Sequence, residues 1–352
     1  MIKFHQSLSK DEWPEVKKFI SNHYRNDHPI LNKKFFFWLG KAKKRINIFC
    51  LKKDNKILSI MGYTKIPMRI NQKIVPTVWL HHWISDKKFI GAGAYLLNKI
   101  EKKKNLLFTM NASKLGKQFY TKKRNWKGLD QVQRNVIILN KKKLKKLFLK
   151  KFKNINLKYY LLDYDKIITK NQNTKFELKN FNVDWKKYVE MKSSVVRDRK
   201  FINWRYFKHP VFKYKIFTAG PKKHPCVCIF RIEKIYGKLK GKIARIVDFY
   251  YPLSAEGDKH AKVVLSNVIN FLVKENCIFV DYFSTSKIFS KMFNFFSINK
   301  KEKKDIFITK FSPILNENYS LNIFYKLSKN YHLGKKMYFT KADIDGDGPV
   351  RI

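Results

Sequence analysis

Lys88-Phe89-Ile90-Gly91-Ala92-Gly93 stands between two segments of different periodicity. Residues 75–84, VPTVWLHHWI, are rich in β-branched and aromatic side chains and read as a strand. Residues 94–102 carry apolar side chains at Ala94, Leu96, Leu97 and Ile100, which is helical spacing. A strand, a tight glycine turn and a helix start aim backbone N–H groups at one point. The helix dipole favours an anion such as phosphate there. So short a pattern also describes an ordinary strand-to-helix turn, so its surroundings decide its meaning.

Working outward, residues 10–25 and 30–44 read as helices anchored by Trp13, Phe19, Phe36 and Trp38. Residues 46–51 and 57–66 form a hairpin around Lys53-Asp54-Asn55-Lys56. Residues 106–111 read as a strand and 112–126 as a helix holding Tyr120, with a last strand of this unit at 136–139. Leu144, Leu147, Phe148 and Phe152 lie at helical spacing among lysines in 141–153, a basic amphipathic helix between units. Asn171-Gln172-Asn173-Thr174 is the expected linker loop. The order then repeats. Helices are expected at 184–191 and 194–206, and strands at 214–219, 225–235 and 242–251, the middle pair turning at 236–238. A helix at 260–275, a strand at 278–283, a helix at 286–296 and a strand at 305–311 follow. Between 251 and 260 the chain reads PLSAEGDK, whose acids would repel a pyrophosphate, so the second unit lacks a cofactor loop. The expected division is 1–140, a basic helix and linker at 141–180, and 181–352.

The glycine segment resembles motif A of the GNAT acyl-CoA N-acyltransferases, Arg/Gln-x-x-Gly-x-Gly/Ala, with Lys88 at the first position. Asn111, Tyr120 and Asn125-Trp126 are similar to the family's next block, Asn…Tyr…Gly-Phe. Trp204-Arg205-Tyr206…His209-Pro210 resembles an element of GNAT-like proteins from bacterial surface-polysaccharide loci, as does the Asp-rich stretch 343–349. The resemblance implies an α/β chain of the α+β type. It would hold two GNAT-like units, each a mixed, mostly antiparallel sheet flanked by helices. It also implies acetyl-CoA or another acyl-CoA as co-substrate, with no metal. Trp83, Ile84, Lys88, Phe89, Ile90, Gly91, Ala92, Gly93, Ala94 and Asn111 would hold it, the pantetheine arm lying between two diverging strands.

N-acylation needs a neutral amine, a base to take its proton and an acid for the departing thiolate. His81 and His82 are adjacent on the motif strand, so a regular strand would point them to opposite faces. In the family, bases on this strand lie at an odd offset before motif A, which makes His81 the expected base and His82 the second choice. Tyr120 is the expected acid. Arg205 either binds an anionic acceptor group or pairs with an acid such as Asp248.

Composition bounds the reading. With 352 residues and 44% hydrophobic content the chain can bury two cores. Lys and Arg number 77 against 26 Asp and Glu, a formal charge of +51, which would attract polyanions or an anionic membrane surface. Cys50, Cys226, Cys228 and Cys277 have no zinc or redox spacing and suit a reducing, cytoplasmic setting. The longest apolar stretch, 263–273, is too short and polar to span a bilayer. Asp343 to Gly348 matches only the first half of an EF-hand loop, so no metal is expected. The preferred reading is acyl transfer to an amine, by resemblance an amino sugar, small or nucleotide-linked, of a surface polysaccharide. A Fem-type aminoacyl-tRNA-dependent transferase and a catalytically silent basic protein bound to RNA or membrane are the alternatives.

Overall fold

Strand Lys73–Ser85 is the axis of the first sheet. It pairs antiparallel with Lys56–Ile70 from end to end, but parallel with Leu106–Met110 only at Val78, Trp79 and Leu80. This is a computed structural model of the chain. It describes residues 1–148, 160–168, 181–298 and 322–343, apart from 25, 43, 72, 105, 130–131, 182, 236–240 and 335. The sheet runs Ile2–His5, Ile48–Lys53, Lys56–Ile70, Lys73–Ser85, Leu106–Met110, Ile323–Leu327, Lys127–Leu129. Ser193–Val195 and Met337–Tyr338 extend it from the far end of Lys56–Ile70. One face packs against Trp13, Val16, Ile20, Phe36 and Leu39 of helices Trp13–His23 and Lys33–Leu39. The other packs against Leu96, Leu97 and Ile100 of helix Ala92–Lys103.

The second sheet runs Lys215–Ala219, Cys226–Ile235, Gly241–Tyr250, Cys277–Ser284, Gln133–Ile138. Its helices are Ala255–Lys274 and Lys287–Asn294. The α/β class, with two mixed sheets flanked by helices, is as expected. One strand is not where the sequence puts it. The strand expected to end the first unit, Gln133–Ile138, pairs antiparallel with Cys277–Ser284 of the second sheet. Its place beside Leu106–Met110 is taken by Ile323–Leu327, with Phe324 opposite Thr109. Each sheet therefore holds a strand from the other half of the chain. Val136, Ile137, Ile138, Ile323 and Phe324 are all buried. A strand buried on both faces has no periodicity that names its neighbour.

Two helices also needed correction. In the expected helix 194–206, Ser193–Val195 is a strand paired with Met68 and Arg69. The helix starts only at Arg199, because the Asp198 carboxylate caps the Phe201 N–H (2.7 Å), and continues as a π-helical turn, Asn203–Phe207. Residues 184–191 make only 3-10 turns, Trp185–Lys187 and Val189–Met191. The expected linker loop 171–174, turn 236–238, strand 305–311, Phe152 and the Asp-rich stretch after Asp343 lie outside the described residues.

Asp248 ties the two sheets together. It accepts from Arg197 Nε (2.7 Å), Tyr206 OH (2.8 Å) and Tyr338 OH (2.5 Å). Arg197 also reaches Asp343 (3.0 Å), and all three charges are fully buried. Burial, with Asp248 near, pushes the Asp343 carboxyl up to about 6. Asp248 thus takes Arg197 and not Arg205, and Arg245 pairs with Asp281 and Glu233.

Candidate active site

The parallel ladder between Lys73–Ser85 and Leu106–Met110 ends at Leu80 and Thr109. Beyond it the motif strand runs on for five residues without that neighbour, so the two strands part. At the head of the gap lies the glycine turn. Asp86 shapes it: its carboxylate accepts from the Lys88 N–H (2.9 Å) and its carbonyl from the Phe89 N–H (3.1 Å). The Ala92 N–H is held by the Phe89 carbonyl (3.1 Å) and the Tyr95 N–H by that of Gly91 (2.9 Å). Among the described residues, none accepts from the N–H groups of Ile90, Gly91, Gly93 or Ala94.

The two glycines are needed for different reasons. Gly91 has φ +87°, a left-handed backbone, with open space around it. At Gly93 a Cβ would come within 2.7 Å of Ser85 Oγ and 2.8 Å of Trp83 Nε1, so the helix can lie this close to the strand only without a side chain. Phe89 and Ile90 are exposed at the tip, Lys88 is exposed, and Ala92 and Ala94 are half-buried. Ile84 faces away, into the core of the opposite face. The far lip of the gap is Asn111, left-handed at φ +61°. Its N–H is held by the Asn322 carbonyl (3.0 Å), and the Asn322 amide clasps both backbone groups of Ala112 (2.9 and 3.1 Å).

The histidines do not alternate as expected. The register shifts between Met61 and Gly62, so that Met61 opposes Trp83 and Gly62 opposes His81. His82 is the extra residue of a β-bulge and has φ +50°. Both rings therefore lie together, 5.0 Å apart. The bulge also turns Trp83 to the helix Ala92–Lys103 side, with Phe119 (5.3 Å) and Tyr120 (5.8 Å). His81 is buried over Gly62, where a Cβ would sit 2.5 Å from the imidazole. Gly62→Ala is accordingly expected to cost about 1–3 kcal/mol by overpacking, read by chemical denaturation. Thr64 Oγ1 donates to the Leu39 carbonyl (2.7 Å) and so accepts from His81 Nε2 (3.1 Å). Burial holds His81 neutral, its pKa pushed down to about 3. His82 is only partly buried, lies 5.5 Å from the His28 ring, and has no partner at Nε2. Burial, then the neighbouring His81 and His28, keep it neutral too, well below its usual value.

Tyr120 is buried on a π-helical turn, Phe119–Lys123, against Trp126 (4.6 Å) and Phe324 (6.0 Å). It shares a face with Trp83, and His81 lies on the other face. The expected acid–base pair is thus split by the strand. The sequence reading missed His28, and His23, whose Nδ1 is 3.8 Å from the Asp86 carboxylate. The pair sits in and after helix Trp13–His23, and only the fold brings them to this strand end. No group of His, Cys, Asp and Glu among the described residues could hold a metal.

The corresponding gap of the second sheet is filled. Its parallel pairing ends at Ile246 and Tyr282. Beyond, the Val247 carbonyl accepts from the Ala342 N–H (3.3 Å), Thr285 N–H reaches the Phe339 carbonyl (3.1 Å), and Ser284 bridges Thr340. The helix start is closed as well. Ser254 caps the Gly257 N–H (3.0 Å), and a Cβ on Gly257 would sit 1.9 Å from the Pro252 carbonyl oxygen.

No family model matches the sequence, and no curated protein matches it. Solved structures do. Yeast (Saccharomyces cerevisiae) N-myristoyltransferase with bound myristoyl-CoA is similar at TM-score 0.54 and 11% identity, over 95% of this chain and 83% of that one. A conserved protein of unknown function, probable N-acyltransferase, from Enterococcus faecalis V583 gives 0.53 and 12%, over 82% and 67%. A GCN5-related N-acetyltransferase from Anabaena variabilis gives 0.53 and 10%, over 92% and 72%. These likenesses show the fold: the chain has the α/β architecture of GNAT-type N-acyltransferases.

Proposed function

We propose that this chain is an acyl-CoA-dependent N-acyltransferase. In this reading the N-terminal unit, residues 1–140 without its exchanged last strand, binds the co-substrate, and residues 181–352 shape the acceptor cleft without a cofactor loop. The observation that carries it is the gap after Leu80 and Thr109, headed by four N–H groups with no acceptor among the described residues. A pyrophosphate fits this geometry: four donors lie within residues 90–94, Gly91 leaves open space, and the helix behind it spans 12 residues. The free edge of the motif strand suits a pantetheine arm, which hydrogen-bonds like an added strand. A fold neighbour that carries bound myristoyl-CoA supports a CoA thioester as the ligand. Bound there, the thioester supplies an activated acyl carbon. The chain's own part is to hold the phosphates at residues 90–94, to seat Trp83 under the helix start, and to take a proton from the amine. We assign that proton to His82, the more accessible imidazole, with His81 supporting it from below. Within this reading the acceptor is an amine such as an amino sugar.

The test is acetyl-CoA binding by calorimetry. Gly91→Asp brings a carboxylate against the phosphates, and Gly93→Asp pushes the helix start off Ser85 and Trp83; each is expected to weaken binding at least about tenfold, roughly 1.4 kcal/mol. Unchanged affinity in both folded variants rejects the loop as the binding site.

A further inference from the structure

We infer that Trp38, Lys41, Arg205 and His209 form an anion site that holds a phosphoryl group of the acceptor. The word acceptor rests on the acyl-transfer reading; the anion site does not.

The Trp-Arg-Tyr…His-Pro stretch of the sequence converges on the end of helix Lys33–Leu39. Trp38 Nε1 donates to the Trp204 carbonyl and Trp204 Nε1 to the Trp38 carbonyl, each at 2.9 Å, with the rings stacked 5.4 Å apart. This reciprocal clasp fixes one unit against the other. The Arg205 guanidinium lies 5.3 Å from the Trp38 ring, and the Lys41 ammonium 4.0 Å from that of Trp204. The His209 ring is 4.1 Å from Trp38.

Among the described residues these donors are poorly satisfied. Arg205 is 1% exposed, its Nε has no partner, and its Nη2 meets only the Lys341 carbonyl at 3.5 Å. No carboxylate pairs with it among the described residues. His209 is 8% exposed. Its Nδ1 accepts from Val211 (3.1 Å) and Phe212 (3.0 Å), so Nε2 carries the hydrogen, and that atom has no partner. Asp198 acts on Lys41 through space, but its side chain caps Phe201. Indole faces offset only part of what an unpaired buried cation costs. Two cations and an N–H call for an anion with a charge near −2 and several acceptor oxygens. A phosphoryl group has both, whereas one carboxylate would leave a cation unpaired. Lys41, half-exposed, opens the site to solvent. Two residues before it, Leu39 accepts from Thr64, which holds His81 beside His82. The anion site and the proposed proton acceptor therefore share one side of the first sheet.

Inorganic pyrophosphate is the probe. It would also meet the glycine turn, so calorimetry is done in the Gly91→Asp chain at fixed ionic strength. Binding is expected there, weakened at least tenfold by adding Lys41→Gln or Arg205→Gln. Lys41→Gln is the decisive variant, because its half-exposed side chain can change without unfolding the clasp. Equal affinity with and without Lys41→Gln, or no binding in Gly91→Asp, overturns the site. With acetyl-CoA and the otherwise native chain, glucosamine 1-phosphate is expected to be acetylated with a KM at least tenfold below that of glucosamine. Lys41→Gln should abolish that difference and leave acetyl-CoA affinity unchanged. Lys41-dependent pyrophosphate binding in a native chain that does not bind acetyl-CoA would support the anion site and sink the acyl-transfer reading.

Discussion

Replacing Asp248 by alanine is expected to lower stability by about 3–5 kcal/mol, because it breaks a buried ion pair at the centre of a hydrogen-bonded network. Asp248 accepts from Arg197, Tyr206 and Tyr338, which come from three separate parts of the chain. Removing the carboxylate leaves Arg197 facing Asp343 alone and takes the acceptor from the buried Tyr206 hydroxyl, whereas Tyr338 keeps the Phe249 carbonyl (2.8 Å). The orphaned hydroxyl adds about 1–3 kcal/mol to the cost. Asp343 should respond in the same variant. Burial raises its pKa first and Asp248 raises it further, so losing Asp248 moves it down from about 6. Guanidinium denaturation gives the stability, and a double variant with Arg197→Met gives the coupling. A loss under about 1 kcal/mol for Asp248→Ala would mean that the network contributes little. The double variant is expected to cost less than the sum of its two single variants, since the Arg197–Asp248 contact can be lost only once.

His82→Ala is expected to lower turnover on the order of 100-fold, the usual loss for one positioned base, with acetyl-CoA affinity unchanged. The imidazole is neutral across physiological pH, the form that accepts a proton. The pH profile should therefore lack an inflection near the ordinary histidine value. His81→Ala should act mainly on the fold, at about 1–3 kcal/mol, since it removes the bond to Thr64 and empties the space over Gly62. Steady-state kinetics and denaturation on both variants separate these roles. A larger kinetic effect from His81→Ala would reverse the assignment.

The parting strands were foreseeable in outline. Strand composition at 75–84, helical spacing after Gly93 and a second strand at 106–111 are local properties, and local forces decide them. The bulge was not foreseeable. An extra residue at His82 is tolerated because Gly62 lets the His81 ring fold over the partner strand, and nothing in either segment alone specifies that meeting. The alternation argument for the two histidines failed for that reason.

The sequence by itself determined the glycine turn, the helix after it near Ala92–Lys103, and the body of the helix expected at 260–275, which in the structure begins earlier, at Ala255. These follow from periodicity and backbone permissiveness, which act over a few residues. Only the tertiary structure decided which sheet receives Gln133–Ile138 and which Ile323–Leu327, that Asp248 takes Arg197, and that Arg205 is left with two indoles. Those are choices among chemically similar partners far apart in the chain. A buried strand fits beside any apolar neighbour and a carboxylate beside any arginine, so geometry alone selects between them.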